Sequence, residues 1–410
     1  MNDNIILLTV YGDDKPGVTA SITEILGRYN ASILDIGQAD IHHSLALGIL
    51  FKMDDMVQGP VLKDILFKYY EIGVKVRFTP ISVDRYEQWV ARQGKERYVV
   101  TILGRIITAT QLSIVTSAVA AMNLNIDSIK RLTGRPPLDI SDIDSLRSCV
   151  ELSIRGDLEP VQREALSAKF MDISSTEGID ISFQKDDMYR RTRRLICFDM
   201  DSTLIKTEVI DELADRAGVG AQVRAITESA MRGEIDFKES FTKRVALLKG
   251  LDESVMKDIA ENLPIMDGAD RLMTVLKKSG FKIAILSGGF TYFGEYLKKR
   301  FGVDYVYANN LEIENGKLTG RFVGDIIDGK RKAELLSLIA QVEKIEIEQV
   351  IAVGDGANDL PMLNLAGLGI AFHAKPKVKA NARQSISTIG LDGILYFLGF
   401  RDVHIGKIVK

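Results

Sequence analysis

"RLICFDMDSTL", residues 194–204, runs apolar from Leu195 to Phe198 and then presents two aspartates, Asp199 and Asp201, one residue apart. Two carboxylates this close raise each other's cost of ionisation, so the pair is either a polar loop or a chemical device. The apolar run lacks period-2 alternation, as do "KIAILSG" (282–288), "VIAVGD" (350–355) and "LGIAF" (368–372). Short apolar runs separated by helical stretches read as strands buried on both faces of a parallel sheet. Three of the four carry polar residues at or just past their C-terminal ends: Asp199 and Asp201, then Ser287, then Asp355, Asn358 and Asp359 in "GDGANDLPM". In an open α/β sheet, sites form along that edge.

A single Asp after a strand is more often a turn or helix cap than a catalyst. Four polar clusters in order change that balance, the remaining one being Lys332 at the head of the predicted helix "KAELLSLIA". Together they fit phosphoryl transfer. A phosphate ester is dianionic, so a carboxylate can attack it only once charge is offset by a hard cation and a lysine. The available ligands are all oxygen, which selects Mg²⁺ over zinc. Asp199 is then the expected nucleophile, forming an aspartyl-phosphate. Asp201 protonates the leaving alkoxide and later takes a proton from water, so the two aspartates need different protonation states. Thr203 orients the loop, and the Ser287 hydroxyl and Gly288 amide hold phosphate oxygens. Asp355 completes the metal site, with Asp359 behind it.

"DMDST", the serine of "SGG", a lysine before a helix and "GDGAND" together resemble the haloacid dehalogenase superfamily over about residues 193–400. The resemblance implies a Rossmann-like sheet and a Mg²⁺ bound by the side chains of Asp199 and Asp355 and the backbone carbonyl of Asp201. The second aspartate of "DMD" implies hydrolysis of a phosphate ester. "DGKRKAELL" offers Lys330 and Lys332, and the family spacing to the helix selects Lys332.

Residues 206–275 are too long for one crossover and read as helices, a cap inserted over the site that excludes water when closed. "DSTLIKTEVIDELADRAG", "FKESFTKRVALLKG" and "LSGGF" resemble the phosphoserine phosphatases within that superfamily. The resemblance implies that Glu208 meets the ammonium of phosphoserine, that Arg244 takes its carboxylate and that Asn358 helps hold the substrate. Without it, Glu208 would read as a first-turn acid favoured by the helix dipole and Arg244 as a solvated helix residue. "NLEIENGKLTGRF" (310–322) reads as a hairpin turning at Asn315-Gly316 and projecting from the core.

The first 190 residues differ. A shift of 92 lays "IILLTVYG" (5–12) over "RYVVTILG" (97–104), placing Thr9 over Thr101, and the same shift puts Asp35 over Asp127. Each copy reads strand, helix, two strands, helix, strand, with first helices near Thr19–Tyr29 and Gln111–Met122. The second copy carries an added loop, "TGRPPLDISDID". Two such copies, with "DDKPGV" in the first strand-to-helix turn, resemble tandem ACT domains. That implies small-molecule regulation and a homodimer. Asp14, Pro16 and Gly17 mark the candidate effector loop, where helix amides could hold a carboxylate. The expected division is an ACT domain over 1–84, a second over 95–186 and a capped phosphatase domain over 190–410. Linkers are expected near 84–96 and 184–194.

The chain of 410 residues is 46% hydrophobic and 27% charged with a net charge of -3, which excludes an electrostatic nucleic-acid binder. No apolar run reaches about 18 residues, so no membrane span is expected, and the start lacks a basic leader; a cytoplasmic enzyme is the expectation. Cys149 and Cys197 make neither a disulfide framework nor a zinc site. Sequence alone also admits phosphotransfer from phosphoserine to another alcohol such as homoserine, or an amino-acid sensor with a dead catalytic domain. The intact Asp199, Asp201, Lys332 and Asp355 argue against the sensor.

Overall fold

The computed structural model describes residues 3–139, 142–144 and 146–409. The chain divides into two compact units, Met1–Lys95 and Glu96–Lys410.

The first unit has four strands, β1 (Asp3–Asp13), β2 (Ser32–Ile41), β3 (Ser44–Asp54) and β4 (Lys75–Ile81), and two packed helices, α1 (Val18–Arg28) and α2 (Gln58–Ile72). Its antiparallel sheet has the order β2-β3-β1-β4. Ile6, Leu8 and Val10 of β1 alternate into a core with Leu47, Ile49 and Phe51 of β3. Val18 and Ile22 of α1 and Val61, Ile65 and Tyr69 of α2 close that core, the helical period matching the strand period across one face. The stretch 84–96, expected as a linker, is instead mostly a helix, α3 (Val83–Gln93), begun by the Ser82 hydroxyl accepting from the Arg85 amide. None of its residues is buried, so capping and propensity rather than packing form it.

The second unit opens with the repeat: β5 (Arg97–Gly104), α4 (Ala109–Ala121), β6 (Asn125–Arg131), β7 (Ser148–Arg155), α5 (Pro160–Glu177) and β8 (Asp180–Lys185), in the order β6-β7-β5-β8. Each edge strand bears a bulge at the corresponding place, between Ile33 and Asp35 in β2 and between Ile126 and Ser128 in β6. The two copies differ in what their second face meets. In β1 that face is partly solvated, with Tyr11 exposed. In β5 it is covered: Leu103 shares one core with Leu132, Cys149 and, from the C-terminal part of the chain, Ile389 and Ile394. Polar contacts reinforce this junction. The buried Asp180 accepts from the amides of Ser387 (2.8 Å) and Thr388 (3.0 Å), and Gln184 donates to the Phe397 carbonyl (2.9 Å). The basic stretch 190–194 belongs to the same junction: it begins in the short helix α6 (Met188–Arg191), Arg190 pairs with Glu151, and the buried Arg193 donates to Gln184.

A seven-stranded sheet follows, ordered β12-β11-β10-β9-β13-β14-β15. β9 (Leu195–Phe198) is central, flanked in parallel by β10 (Lys282–Phe290) and β13 (Val350–Gly354). β14 (Leu368–Phe372) and β15 (Ser385–Ile386) extend one side, β11 (Tyr305–Glu314) and β12 (Lys317–Val323) the other. Ile196 and Phe198 point into one core layer, Leu195 and Cys197 into the other. A strand sandwiched in this way must be apolar on both faces, hence the missing alternation. Between β9 and β10 lie α7 (Val209–Arg216), α8 (Gly220–Met231), α9 (Phe237–Leu247), α10 (Ser254–Glu261) and α11 (Ala269–Lys278). The last buries Leu272, Met273 and Leu276 in the sheet core. The β11–β12 hairpin turns at Asn315 and Gly316, both left-handed (φ 52° and 75°). It does not project freely as expected. Its backbone bonds to the helical segment, with the Gly250 amide on the Leu318 carbonyl (2.8 Å) and the Glu253 amide on the Gly316 carbonyl (2.9 Å).

Candidate active site

The aspartate loop hangs from the C-terminal end of β9. The Asp199 amide donates to the Val353 carbonyl (2.9 Å), which extends the β9–β13 ladder by one rung. The Asp199 side chain accepts from the Met200 amide at 2.7 Å. The chain then turns sharply. Ser202 is left-handed (φ 54°) and its hydroxyl donates to Glu208 Oε1 at 2.8 Å. Thr203 is buried, and its hydroxyl donates to Asp355 Oδ1 at 2.9 Å, joining the loops after β9 and β13.

Lys332 lies in α13 (Gly329–Glu343), whose first turn is capped by Asp328 accepting from the Arg331 amide. One turn inward, Lys332 is fully buried, 2.9 Å from Asp199 Oδ1 and 2.7 Å from Asp359 Oδ1. Burial works against its charge, but the two carboxylates outweigh this and hold the ammonium above its usual range. Lys330 is on the surface near Glu334. The remaining Asp359 oxygen accepts from the Gly356 amide (2.9 Å).

Carboxylate oxygens of Asp199, Asp355 and Asp359 lie within 4.8 Å of one another. One buried lysine faces these three acids. The imbalance shows in their affinities for protons. Burial, then the charge of Asp359, push Asp199 well up. The same two causes raise Asp355 to about 7, against the Thr203 hydrogen bond. A cluster short of positive charge, all oxygen and partly enclosed, suits a hard divalent cation such as Mg²⁺. The Asp201 side chain is outside this cluster. Its Oδ1 accepts from the Val209 amide (3.0 Å), and burial, then Glu208, raise its pKa. A Cβ on Gly289 would stand 2.4 Å from Asp201 Oδ2, so the second glycine of "SGG" makes room for that carboxylate.

Ser287 is fully buried in β10, its hydroxyl accepting from the Gly289 amide (2.9 Å). Asn309 was not anticipated from sequence. Buried midway along β11, it donates to the Gly288 carbonyl (2.8 Å) and accepts from the Ile327 amide (2.9 Å), fixing the loop's shape. Ser202 and Phe237 were also missed; the Phe237 ring lies against Gly288. No periodicity or spacing marks any of the three. Asn358 is half-buried in the turn after β13, beside Gly329 of α13.

Glu208 is the residue before α7, exposed, and its side chain makes no capping bond to the helix. Arg244, in the last turn of α9, forms no ion pair among the described residues; its polar partners there are the Ser240 carbonyl (3.4 Å) and the Thr227 hydroxyl (3.5 Å). Burial lowers its pKa, while Glu208, Asp211 and Asp201 act against this, so all three carboxylates lie within its field. An anion and an unpaired guanidinium thus face the aspartates from the inserted helices.

In the first unit, Asp14, Pro16 and Gly17 lie exposed in the β1–α1 turn. Gly17 is left-handed (φ 95°) and no side chain caps α1. The Asp14 amide donates to the His43 carbonyl (2.8 Å). Among the described residues no helix is long and apolar enough to cross a membrane.

Comparison with known proteins agrees with this layout. Residues 193–367 match the family model for haloacid dehalogenase-like hydrolases, and residues 4–79 and 97–184 each match an ACT-domain model. The chain is 39% identical over 396 residues to phosphoserine phosphatase SerB2 of Mycobacterium tuberculosis, covering 96% of this chain and 93% of that one. It is 36% identical to the phosphoserine phosphatase of Streptomyces coelicolor, covering 96% and 92%. Among solved structures, a haloacid dehalogenase-family hydrolase from Salmonella enterica serovar Typhi superposes with a TM-score of 0.60 at 31% identity, covering 73% of this chain and 98% of that one. A probable phosphoserine phosphatase from Vibrio cholerae, unliganded, gives 0.56 at 33% identity, covering 77% and 90%.

Proposed function

We propose that this chain, which belongs to the haloacid dehalogenase-like hydrolases and carries two ACT domains, hydrolyses O-phospho-L-serine to L-serine and phosphate, the closing reaction of serine synthesis. The observation that carries the substrate is the placement of Glu208 and the unpaired Arg244 on the helices facing the aspartates. A zwitterionic amino acid offers an ammonium to the first and a carboxylate to the second, the guanidinium fork suiting bidentate capture. Asn358 lies where it can add a further hydrogen bond.

In this reading an Asp199 oxygen attacks phosphorus, the bond to the serine oxygen breaks, and Asp201 gives its proton to the departing alkoxide. Asp201 then takes a proton from water as that water opens the acyl phosphate, restoring both aspartates. Lys332 holds Asp199 in place and lowers the cost of bringing an anion to it. Ser287 and the Gly288 amide receive phosphate oxygens. Asp199 and Asp355, with the Asp201 carbonyl, would hold Mg²⁺, with Asp359 anchoring the arrangement through Lys332. When bound, the cation offsets the negative charge of the ester. The exposed β1–α1 turn at Asp14, Pro16 and Gly17 would take an amino-acid effector, and the ACT domains would pair two chains.

Phosphate release from O-phospho-L-serine, with Mg²⁺ or EDTA, for wild type and Asp199→Asn tests the reading. Fast, Mg²⁺-dependent release, absent from the variant and slower on phosphothreonine, supports it. Release from every monoester except phosphoserine would keep the chemistry and remove the substrate.

A further inference from the structure

The chain enters and leaves the inserted helices through two segments that lie side by side. Ile205 bridges Ile265 antiparallel. The Lys206 amide donates to the Pro264 carbonyl (2.8 Å), and the Met266 amide to the Leu204 carbonyl (2.9 Å). Any opening of the helices relative to the sheet must flex here, because these are the two covalent links between them. Leu204 is also next to Thr203, which holds Asp355, so the hinge and the catalytic loop are one piece of backbone.

The return segment is pinned from the sheet side. The Leu391 amide donates to the Asp267 carbonyl at 2.8 Å. The following residue, Asp392, is fully buried against Gly268, where a Cβ would stand 2.4 Å from Asp392 Oδ1. Gly268 is also left-handed (φ 80°), so both its backbone and its missing side chain admit Asp392 at this place. Among the described residues Asp392 Oδ1 has no hydrogen-bond partner, so this buried carboxylate depends on the cations at its other oxygen. There are two. Arg271 of α11 lies at 2.7 Å and Arg147 at 3.1 Å from Oδ2.

Arg147 belongs to the second ACT domain, at the end of its added loop. The start of that loop is tied to the same cluster: the Gly134 amide donates to Asp402 Oδ2 (2.8 Å), while Asp402 Oδ1 accepts from Arg271 (2.9 Å) and the Tyr396 hydroxyl (2.7 Å). The loop therefore reaches the turn that holds the hinge from both its ends.

We propose that Arg147 is a positioning residue for the phosphatase reaction, through which the second ACT domain holds Asp392 and so the cap hinge at Pro264–Gly268. The inference rests on the reading of α7–α10 as a cap that opens over the aspartates. Arg147 acts through Asp392 on backbone, not on substrate. Its side chain is 35% exposed, so its loss leaves no cavity in the core.

The test uses the full chain as wild type, Arg147→Ala and Arg147→Lys. Hydrogen exchange is followed in peptides covering 203–207 and 263–269, alongside kcat and KM for O-phospho-L-serine with Mg²⁺. Removing the arginine is expected to raise exchange in both hinge segments and to lower kcat/KM by about 5-fold, mainly through KM. Lysine, which keeps the charge, is expected to restore most of both. Unchanged hinge exchange and unchanged kcat/KM in Arg147→Ala would overturn the inference, as would exchange that rises evenly throughout the second unit, the signature of general destabilisation. If wild type releases no phosphate from phosphoserine, the substrate reading fails, and hinge exchange still decides the role of Arg147.

Discussion

Lys332 Nζ stands 2.9 Å from Asp199 Oδ1, and both side chains are almost wholly removed from water. Desolvating an ammonium costs several kcal/mol, which a surface lysine would never incur. Here Asp199 and Asp359 both neighbour it, so the charge survives burial. Lys332→Met leaves those carboxylates without their protein cation. The variant is expected to lose about 3–5 kcal/mol of stability in urea unfolding without metal and about 10²–10³-fold in kcat. A variant as stable and as active as wild type would refute the arrangement.

The two aspartates of "DMD" differ in surroundings, and so should their variants. In the proposed mechanism Asp199→Asn removes the nucleophile, and no phosphate release above background is expected. Asp201→Asn keeps the nucleophile and loses the proton carrier, so release should fall by about 10²–10⁴-fold. Rapid-quench trapping of a phosphorylated protein, present in Asp201→Asn and absent from Asp199→Asn, checks the assignment.

Thr203 donates to Asp355 from the other loop. Thr203→Val preserves shape and removes that bond, which is worth about 1 kcal/mol. The Mg²⁺ concentration for half-maximal activity should then rise by about 5-fold with little change in saturated kcat. EDTA should abolish activity in both proteins and added Mg²⁺ should restore it.

Among the described residues Arg244 is bonded only to the Ser240 carbonyl and the Thr227 hydroxyl, which leaves its guanidinium available to a carboxylate ligand. Arg244→Ala is expected to raise KM for O-phospho-L-serine by about 10–100-fold, the range of a charge-assisted hydrogen bond. p-Nitrophenyl phosphate, which has no carboxylate, should be hydrolysed as before. Equal losses on both substrates would place Arg244 in the structure of the cap and not in recognition.

The two ACT copies should differ when removed. The first has its own closed core. The second shares one through Leu103, Leu132 and Cys149, and Asp180 is bonded to Ser387 and Thr388. A chain starting at residue 96 should stay soluble and turn over phosphoserine, whereas one starting at residue 190 should aggregate, since it uncovers that shared core. Size-exclusion chromatography with activity assays distinguishes these outcomes.

Much of this was legible from residues alone. The repeat and the buried parallel strands follow from local pattern, because a strand covered on both faces must be apolar throughout; the choice of Lys332 over Lys330 rests on the family resemblance, and the structure buries Lys332 and leaves Lys330 on the surface. The convergence of Asp199, Asp201, Ser287 and Asp355 was readable because a parallel sheet brings every strand's C-terminal end to one edge. Pattern could not reveal Asn309 behind the glycines, the hairpin bonded to the inserted helices, or the burial of the second copy's outer face against the sheet domain. Those depend on which surfaces meet. The outward faces of β1 (Leu7, Thr9, Tyr11) and β5 (Val99, Thr101, Leu103) are alike in residue type, yet the first is only partly covered and the second is buried, and local spacing cannot say what will lie across either. Sequence determined the elements and the side chains they bring to the sheet's edge, since these rest on short-range periodicity and residue type. Tertiary structure decided the junctions, Asp180 with Ser387 and Arg147 with Asp392, since these join residues more than two hundred positions apart in contacts that only the folded chain creates.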